Sequence, residues 1–182
     1  FDRVSVVGIL NADAMLNYPD FRAYEHAFMM MAQVSGRAGR KGQRGKVFLQ
    51  TKNKELPIIR QVVENDYQGF YEALLEERRL FSYPPLHRLV YVFLRHRHDD
   101  VVETAGIEMG SRLRQGLGER ILGPDKPSIA RVKNLHIRKI VIKLENGIDQ
   151  KAVRLYLRTV QQQLLQDKRY AALQVYYDVD PL

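Results

Sequence analysis

The sequence predicts a mixed α/β chain in two parts, an α/β part followed by an α+β domain. In the first part, two continuous apolar runs rich in β-branched residues, at 4–10 and 45–51, are typical of buried strands in a parallel sheet. Further along, strands alternate apolar and polar residues, which indicates an antiparallel sheet with one wet face. Pro84 and Pro85 break the chain between these patterns. We therefore expect two domains, residues 1–84 and residues 85–182.

The first part is expected to begin with the strand at 4–10, followed by a loop over 11–20 that contains Pro19. A helix is predicted to open near Asp20, a good N-cap residue. The methionines at 29–31 are interpreted as core filling. The second strand covers 45–51, and helices are predicted over 56–64 and 67–81. The apolar face of the first helix consists of Phe21, Tyr24, Phe28 and Met31.

The second part is expected to alternate strands and helices in the order β-α-β-β-β-α-β. Strands are predicted at 88–95, 120–124, 127–132, 139–145 and 173–180, the third being a short edge strand. The helix starting at 99 carries Asp100 and Glu103 at capping-box spacing, and Asp149 caps the last helix. Two helices on one face of a largely antiparallel sheet form a ferredoxin-like α+β layout. The predicted stripes of these helices are Val102, Ala105, Met109 and Leu113, and then Val153, Tyr156, Val160 and Leu164.

Composition narrows the class of protein. Lys and Arg number 29 against 21 Asp and Glu, a formal net charge of +8, which favours polyanionic partners unless the basic surface has no role. The chain has no cysteine, so disulfides and thiolate zinc sites are excluded within it. No apolar run approaches the ~20 residues of a membrane span, and no signal-peptide pattern occurs. Because the chain also lacks an initiator Met, we expect a piece of a longer protein.

The strongest chemical signal is the segment "QVSGRAGR" at 33–40. If the preceding helix continues, Gln33, Arg37 and Arg40 lie at i, i+4 and i+7 and share one helical face. Gly36 and Gly39 on a neighbouring face would let a ligand approach closely. Two guanidiniums on a rigid element could grip phosphate oxygens with bidentate donors. The alternative is a basic loop after a helix C-terminus, where cations are favourable anyway.

A second signal lies in the α+β domain, where cations and aromatic residues occur together. They suggest contact with single-stranded nucleic acid, or else a solvated sheet face with core aromatics. The scattered histidines show no metal-ligand spacing with a carboxylate, so no metal site is predicted. The residues concerned are Arg88, Arg95, Arg131, Lys133, Arg138, Lys139 and Lys143, with Tyr91 and Phe93 nearby.

These segments carry a resemblance to a known family. "QVSGRAGR" resembles motif VI of superfamily 2 helicases, Q-x-x-G-R-x-G-R. The longer block from "VGILNADA" through "LNYPDFRAYE" to "QVSGRAGR" is similar, more narrowly, to the PriA family of replication-restart helicases, also called primosomal protein N′. "GKVFLQT", "DYQGFYEALLEERRLFSYPP", "ILGPDKPSIAR" and the terminal "DVDP" extend the resemblance, in order, over nearly the whole chain.

The resemblance implies that residues 1–84 are part of the second RecA-like helicase lobe, whose motif VI arginines reach ATP held between two lobes. Arg40 then resembles the arginine finger and Arg37 a second phosphate contact, with Gln33 as a polar anchor and Gly36 beside the nucleotide. Asn11 and Asp13 end the motif V strand and are candidates for coupling nucleotide state to DNA, with Asp13 counted among the nucleotide-binding residues, or else ordinary turn residues.

The implied function is that of an ATP-dependent 3′-to-5′ DNA helicase that recognises stalled forks and starts primosome assembly in the cytoplasm. Its cofactors would be ATP with magnesium, and zinc bound outside this segment. Its partners would be forked, single-stranded and duplex DNA, the acidic C-terminal tail of single-stranded DNA-binding protein and other primosome proteins, with no membrane. The chain contains no phosphate-loop sequence, so we expect it not to hydrolyse ATP alone. The alternative is a non-enzymatic nucleic-acid-binding module.

Overall fold

The computed structural model of the chain describes residues 4–38 and 45–181, and it divides into two compact units. The first unit is Phe1–Glu77 and the second is Arg78–Leu182. The boundary predicted from the sequence, after residue 84, lies shortly beyond this division.

The first unit contains a small parallel sheet and several helices. Strand β1 (Val6–Ile9) pairs in parallel with β2 (Lys46–Leu49), with Val6 opposite Lys46. Between them lie helices α1 (Ala12–Leu16) and α2 (Ala23–Ser35). Helices α3 (Pro57–Glu64) and α4 (Tyr67–Leu80) follow, as the sequence predicts, and α3 has its proline in the first turn, where no hydrogen bond is lost.

The core of this unit forms between helices. Phe28 of α2 and Phe70 of α4 stack at a centroid distance of 4.2 Å, and Met31 is fully buried beside them. The interpretation of all three methionines as core filling is wrong, because Met29 and Met30 are 59% and 52% exposed. A helix turns 100° per residue, so three consecutive side chains cannot face one core.

Three further predictions for this unit are wrong. Residues 11–20 are not simply a loop, because helix α1 lies within them, and α2 begins at Ala23 rather than near Asp20. The Asp20 carboxylate instead accepts a hydrogen bond from the backbone of Arg22. The strands form and pair in parallel, as predicted, but they are not buried: Val6 is 56% and Phe48 61% exposed. Within the described residues, a two-stranded sheet has too few neighbours to cover both faces.

The second unit is an α+β domain. Its elements are β3 (His87–His96), α5 (Asp99–Leu117), β4 (Ile121–Asp125), β5 (Arg131–Val132), β6 (Leu135–Glu145), α6 (Gln150–Leu165) and β7 (Gln174–Val179). The strands are ordered β4-β6-β3-β7 and all pairs are antiparallel, with the two-residue β5 on β6. The predicted α+β layout is confirmed, and β6 begins four residues earlier than expected.

Helices α5 and α6 cover one face of this sheet. The predicted stripe of α5 is fully buried, and Val153, Val160 and Leu164 of α6 are buried as well. They pack on Val92, Leu94, Ile140 and Ile142 of the central strands. Asp149 caps α6 as predicted, accepting bonds from the backbone of Lys151 and Ala152 at 2.8 and 3.2 Å. The capping box at α5 is wrong, because His98 is the N-cap and no side chain caps the helix.

Candidate functional site

The motif segment begins on α2, which carries Gln33 on its exposed side. The helix ends at Ser35, so Arg37 lies in a turn rather than on the helical face shared with Gln33, and that prediction is wrong. At this end the backbone changes to the tighter i to i−3 hydrogen bonding. The Arg37 amide donates to the Val34 carbonyl, and the Ala38 amide donates to the Ser35 carbonyl. Gly36 at the C-cap has the weakest helix propensity of any residue but proline, which favours termination there.

The Arg37 side chain is exposed, and it makes no ion pair with any residue in the described part of the chain. Gly36 is also exposed, and a Cβ added there would meet only backbone oxygens at 3.6 Å. The end of α2 therefore presents a guanidinium to solvent beside an open stretch of backbone. Arg40 and Gly39 lie outside the described residues, so their predicted roles stay predictions.

Asp13 lies in the first turn of α1 and is engaged with the chain itself. One carboxylate oxygen accepts from the Thr51 hydroxyl at 2.8 Å, and the other accepts from the Lys52 backbone amide at 2.9 Å. These hydrogen bonds, the one from the Lys52 backbone first, lower the pKa of Asp13 below its usual range. Asn11, with a left-handed φ of 54°, precedes the helix. The carboxylate thus ties α1 to the segment after β2.

In the second unit, a groove runs between α6 and the inner face of the sheet, with a volume of about 470 Å³. We call this the α6 groove. Its floor is apolar, built from Val90, Val153, Leu157, Val175 and Tyr177, and its rim carries guanidiniums from Arg88, Arg154 and Arg158.

The three guanidiniums of the α6 groove differ in what they contact. Arg88 is engaged, since its Nε donates to Asp180 at 3.0 Å and its Nη1 donates to Gln150 at 2.6 Å. Arg154 and Arg158, one helical turn apart on α6, are exposed and have no carboxylate partner in the described ranges. Their charge therefore faces the mouth of an apolar groove uncompensated.

Tyr177 closes part of this groove floor. Its hydroxyl donates to the Leu157 carbonyl at 3.2 Å, and burial raises its pKa to about 12. The phenol is therefore neutral at physiological pH and does not offset the rim cations. Apolar floor and cationic rim together suit a short segment that carries both apolar side chains and carboxylates.

The sheet face away from the helices combines rings and cations, and we call it the outer face. It consists of Tyr91, Phe93 and Arg95 of β3, Lys139, Val141 and Lys143 of β6, and Tyr176 of β7. Phe93 and Tyr176 stack with centroids 4.9 Å apart, and Tyr91 meets Phe93 edge-on at 6.1 Å.

Each cation of the outer face lies over a ring. Arg95 lies 4.4 Å from the centroid of Tyr176 and donates to its hydroxyl, and Lys139 lies 4.6 Å from that of Tyr91. Lys143 lies 3.9 Å from the Tyr83 ring and donates to the Phe81 carbonyl. These contacts fix the positions of three positive charges on one surface.

Other members of the basic set predicted from the sequence do not join this face. Arg138 points to the helix side and is only 2% exposed, where it donates to Asp99 at 2.7 Å and to Glu103. Its hydrogen bond holds the pKa of Asp99 below the usual range. Arg88 lies on the α6 groove, and Arg131 and Lys133 are exposed around β5. Strand alternation separates Arg138 from Lys139, so neighbours in sequence face opposite sides.

The described residues offer neither a metal-ligand cluster nor a membrane-spanning helix. Over residues 4–38 and 45–181, no group of three or more His, Asp or Glu residues is placed to hold a metal ion. No helix within the same ranges has both the length and the apolar character needed to cross a membrane.

A comparison with protein-family models identifies the second unit. Residues 79–182, more than half of the chain, match the model of the primosomal protein N C-terminal domain. The chain belongs to this family. The resemblance found in the sequence is thereby confirmed.

Curated proteins similar to this chain are named replication restart protein PriA. The one from Bacillus subtilis is 34% identical over 169 residues, covering 89% of this chain and 21% of the relative. That from Treponema pallidum is 32% identical over 187 residues, with 100% and 27% covered. That from Thermotoga maritima is 30% identical over 143 residues, with 79% and 19% covered. The chain thus spans about a fifth to a quarter of the length of these PriA relatives.

Sequence reasoning missed the α6 groove. Arg154 and Arg158 directly follow Val153 and Leu157 of the apolar stripe, so a row of cations bordering a buried stripe was the available signal. The depth of the groove could not be inferred, because it depends on how far α6 lies from β7.

Proposed function

We propose that this chain is part of an ATP-dependent 3′-to-5′ DNA helicase of the PriA type, which recognises stalled replication forks and initiates primosome assembly in the cytoplasm. The family match of residues 79–182, together with PriA relatives aligned over nearly the whole chain, carries this proposal. The helicase motif lies outside the matched domain, so the first unit supports the enzymatic part separately.

The first unit, in this proposal, contributes part of a RecA-like lobe. Parallel pairing of β1 and β2 is the pairing that such a lobe requires, and helices connect the strands. Val6 and Phe48 expose apolar side chains on this two-stranded sheet, as expected of strands covered by further elements in a longer protein.

Arg37 and Arg40 would contact the phosphates of ATP, with Arg40 as the arginine finger. The exposure of Arg37 and its lack of a carboxylate partner support this role. Gly36 leaves the backbone open beside it, and Gln33 lies one turn earlier on the exposed side of α2. These residues fit one side of a nucleotide site, since they provide donors for phosphate oxygens but no loop to cradle them.

Asp13 takes a different part in the proposal. Both carboxylate oxygens already accept hydrogen bonds from Thr51 and Lys52, so Asp13 would position the strand ends near the nucleotide rather than bind it. ATP and magnesium would be held mainly by residues outside this chain, and zinc entirely so. The chain alone is expected to be inactive.

The α6 groove is proposed to receive the acidic C-terminal tail of single-stranded DNA-binding protein. Arg154 and Arg158 would pair with carboxylates of the tail, while its apolar side chains fill the floor around Val153 and Leu157. Charge complementarity and the apolar floor are the supporting observations. The remaining primosome proteins have no distinguishable surface on the described residues.

The test of the enzymatic proposal replaces Arg37 and Arg40 singly with Ala in the full-length protein. DNA-stimulated ATP hydrolysis is expected to fall by roughly 10³-fold or more for Arg40→Ala, and also for Arg37→Ala to a smaller extent. The matched control is Arg60→Ala, which removes an exposed guanidinium paired with Glu64 on α3. Near-normal hydrolysis in both motif variants would contradict the helicase assignment and favour a non-enzymatic nucleic-acid-binding module.

A further inference from the structure

Neither α5 nor α6 packs on the outer face, and its composition is unusual for such a sheet surface. Solvated faces of antiparallel sheets normally carry polar side chains. Here three aromatic residues, Tyr91, Phe93 and Tyr176, lie side by side, and each is partly exposed. The core that α5 and α6 cover lies on the other side of the sheet and does not include these rings. Leu89 and Ile137, towards the two ends of the outer face, are buried.

The charges around these rings favour a polyanion. Arg95, Lys139 and Lys143 reach the same surface, and none forms an ion pair with a carboxylate among the described residues. The acids nearest to these cations are Asp178, opposite Tyr91, and Asp125, opposite Lys139, both exposed on edge strands. Glu145, at the end of β6 two residues beyond Lys143, is paired with Arg120. The centre of the face is therefore cationic and its edges carry the acids.

The combination of rings and cations discriminates between kinds of polyanion. A duplex offers phosphates but hides the faces of its bases in the stack, so it could use only the cations. An unpaired strand offers both, and base–aromatic stacking on a four-stranded sheet is an established mode of single-strand recognition. Arg95 and Lys139, already held over rings, would exchange part of this contact for phosphate oxygens.

We propose that the outer face binds an unpaired DNA strand, with bases against Tyr91, Phe93 and Tyr176 and phosphates at Arg95, Lys139 and Lys143. That the strand is DNA rests on the proposed function; that it is unpaired rests on the geometry of the face. The site is separate from the α6 groove, because Arg154 and Arg158 lie on the helix that covers the opposite side of the sheet.

The experiment measures binding of the full 182-residue chain to a labelled 15-nucleotide oligo(dT) and to a 15-base-pair duplex. Tyr91→Leu and Tyr176→Leu remove a ring but keep apolar bulk, and each is expected to weaken oligo(dT) binding about tenfold. Duplex binding should change less than twofold. The aromatic control is Tyr18→Leu, which alters a tyrosine that is 66% exposed in the first unit, and Tyr176→Phe should retain binding because it keeps the ring.

A second variant set covers the case in which a leucine variant fails to fold, as judged by circular dichroism. Lys139→Gln should reduce the slope of log affinity against log salt for oligo(dT) by about 0.7, whereas the exposed Lys151→Gln on α6 should leave it unchanged. Unchanged oligo(dT) affinity in the folded ring variants, or an equal loss for duplex, would overturn the proposal. So would an unchanged salt slope in Lys139→Gln.

Failure of this inference and failure of the proposed function are distinguishable. Binding by the outer face needs no nucleotide, whereas the helicase assignment is tested by ATP hydrolysis in the Arg37 and Arg40 variants. In one possible outcome, ATP hydrolysis by the full-length protein is insensitive to those arginines, but its oligo(dT) binding depends on Tyr91 and Tyr176. This outcome would contradict only the enzymatic proposal.

Discussion

At the scale of single residues, Arg138 shows how one buried charge organises its surroundings. Its side chain is almost fully buried between the sheet and α5. It forms ion pairs with Asp99 and Glu103, which lie four residues apart on that helix. Glu103 is therefore unavailable as the partner of a capping box, and α5 begins without a side-chain cap. The carboxylates remain about half exposed, so the cluster is partly hydrated.

Arg138→Ala is expected to lower the free energy of unfolding by about 2–3 kcal/mol, because it removes a buried guanidinium and its charge-assisted hydrogen bonds to Asp99 and Glu103. Asp99 would keep its contacts with Lys126 and His136. Urea unfolding monitored by circular dichroism gives the comparison. The control is Arg120→Ala, whose pair with Glu145 is largely exposed, so its loss should be clearly smaller. Equal losses in the two variants would show that burial of Arg138 carries no extra stability.

The same cluster sets part of the acid sensitivity. Because the folded pKa of Asp99 lies below its unfolded value of about 3.9, Asp99 stabilises the fold above that pH. This contribution is lost as pH falls through the folded pKa, where the carboxylate becomes protonated. Asp99→Asn should therefore flatten the decline in stability between neutral and acid pH, and an unaltered acid profile would count against the ion pair.

At the scale of elements, strongly periodic segments were predictable and context-dependent ones were not. The stripes of α5 and α6 and the alternation of β3 and β6 follow from residue period alone. The end of α2 before Arg37 does not follow from residue period, because it depends on the low helix propensity of Gly36, which ends the helix there. The exposure of β1 and β2 could not be predicted from their apolar sequences, because burial depends on which other elements pack against a strand.

Some features of the candidate sites could be predicted from the sequence, and others could not. Arg37 could be singled out from spacing and resemblance, and its exposure is seen only in the structure. Which cations share the outer face also follows from strand register, since Arg138 and Lys139 alternate across the sheet. The α6 groove could not be predicted from the sequence, because its existence depends on the distance between α6 and the edge strand β7. The residue period of a helix or strand does not give this distance.

Helix α6 supplies the prediction at this scale. Arg154→Ala combined with Arg158→Ala should weaken binding of a peptide from the acidic tail of single-stranded DNA-binding protein about tenfold, because two charge-assisted contacts are lost. Fluorescence anisotropy with the intact chain measures it. Lys151→Gln together with Arg169→Ala changes the same number of cations outside the α6 groove and should have little effect. Equal weakening in both double variants would indicate nonspecific charge attraction.

At the scale of the whole molecule, the two units differ in how well their sheets are supported. Over residues 4–38 and 45–181, the second has five antiparallel strands, one of them only two residues long, with two helices packed on one face, whereas the first has two short parallel strands. Two-stranded sheets are marginal in water, and local stability follows the number of buried contacts. The units should therefore open with different free energies.

Hydrogen exchange tests this difference directly. Amides of β3 and β6 should be strongly protected in the 182-residue chain, while those of β1 and β2 exchange orders of magnitude faster. In the full-length protein, protection of β1 and β2 should rise if further strands of a RecA-like lobe cover them. Equally strong protection of both sheets in the chain alone would argue that the first unit is already complete.

Asp180 has a consequence for the α6 groove. Its carboxylate accepts hydrogen bonds from the Arg88 guanidinium and the Leu89 amide, and its own amide donates to the Leu89 carbonyl, so the residue after β7 is held against β3. Asp180→Asn would leave Arg88 without a carboxylate partner. Because Asp180 occupies a guanidinium of the α6 groove, it would compete with acidic peptides for that group, and its replacement should strengthen their binding.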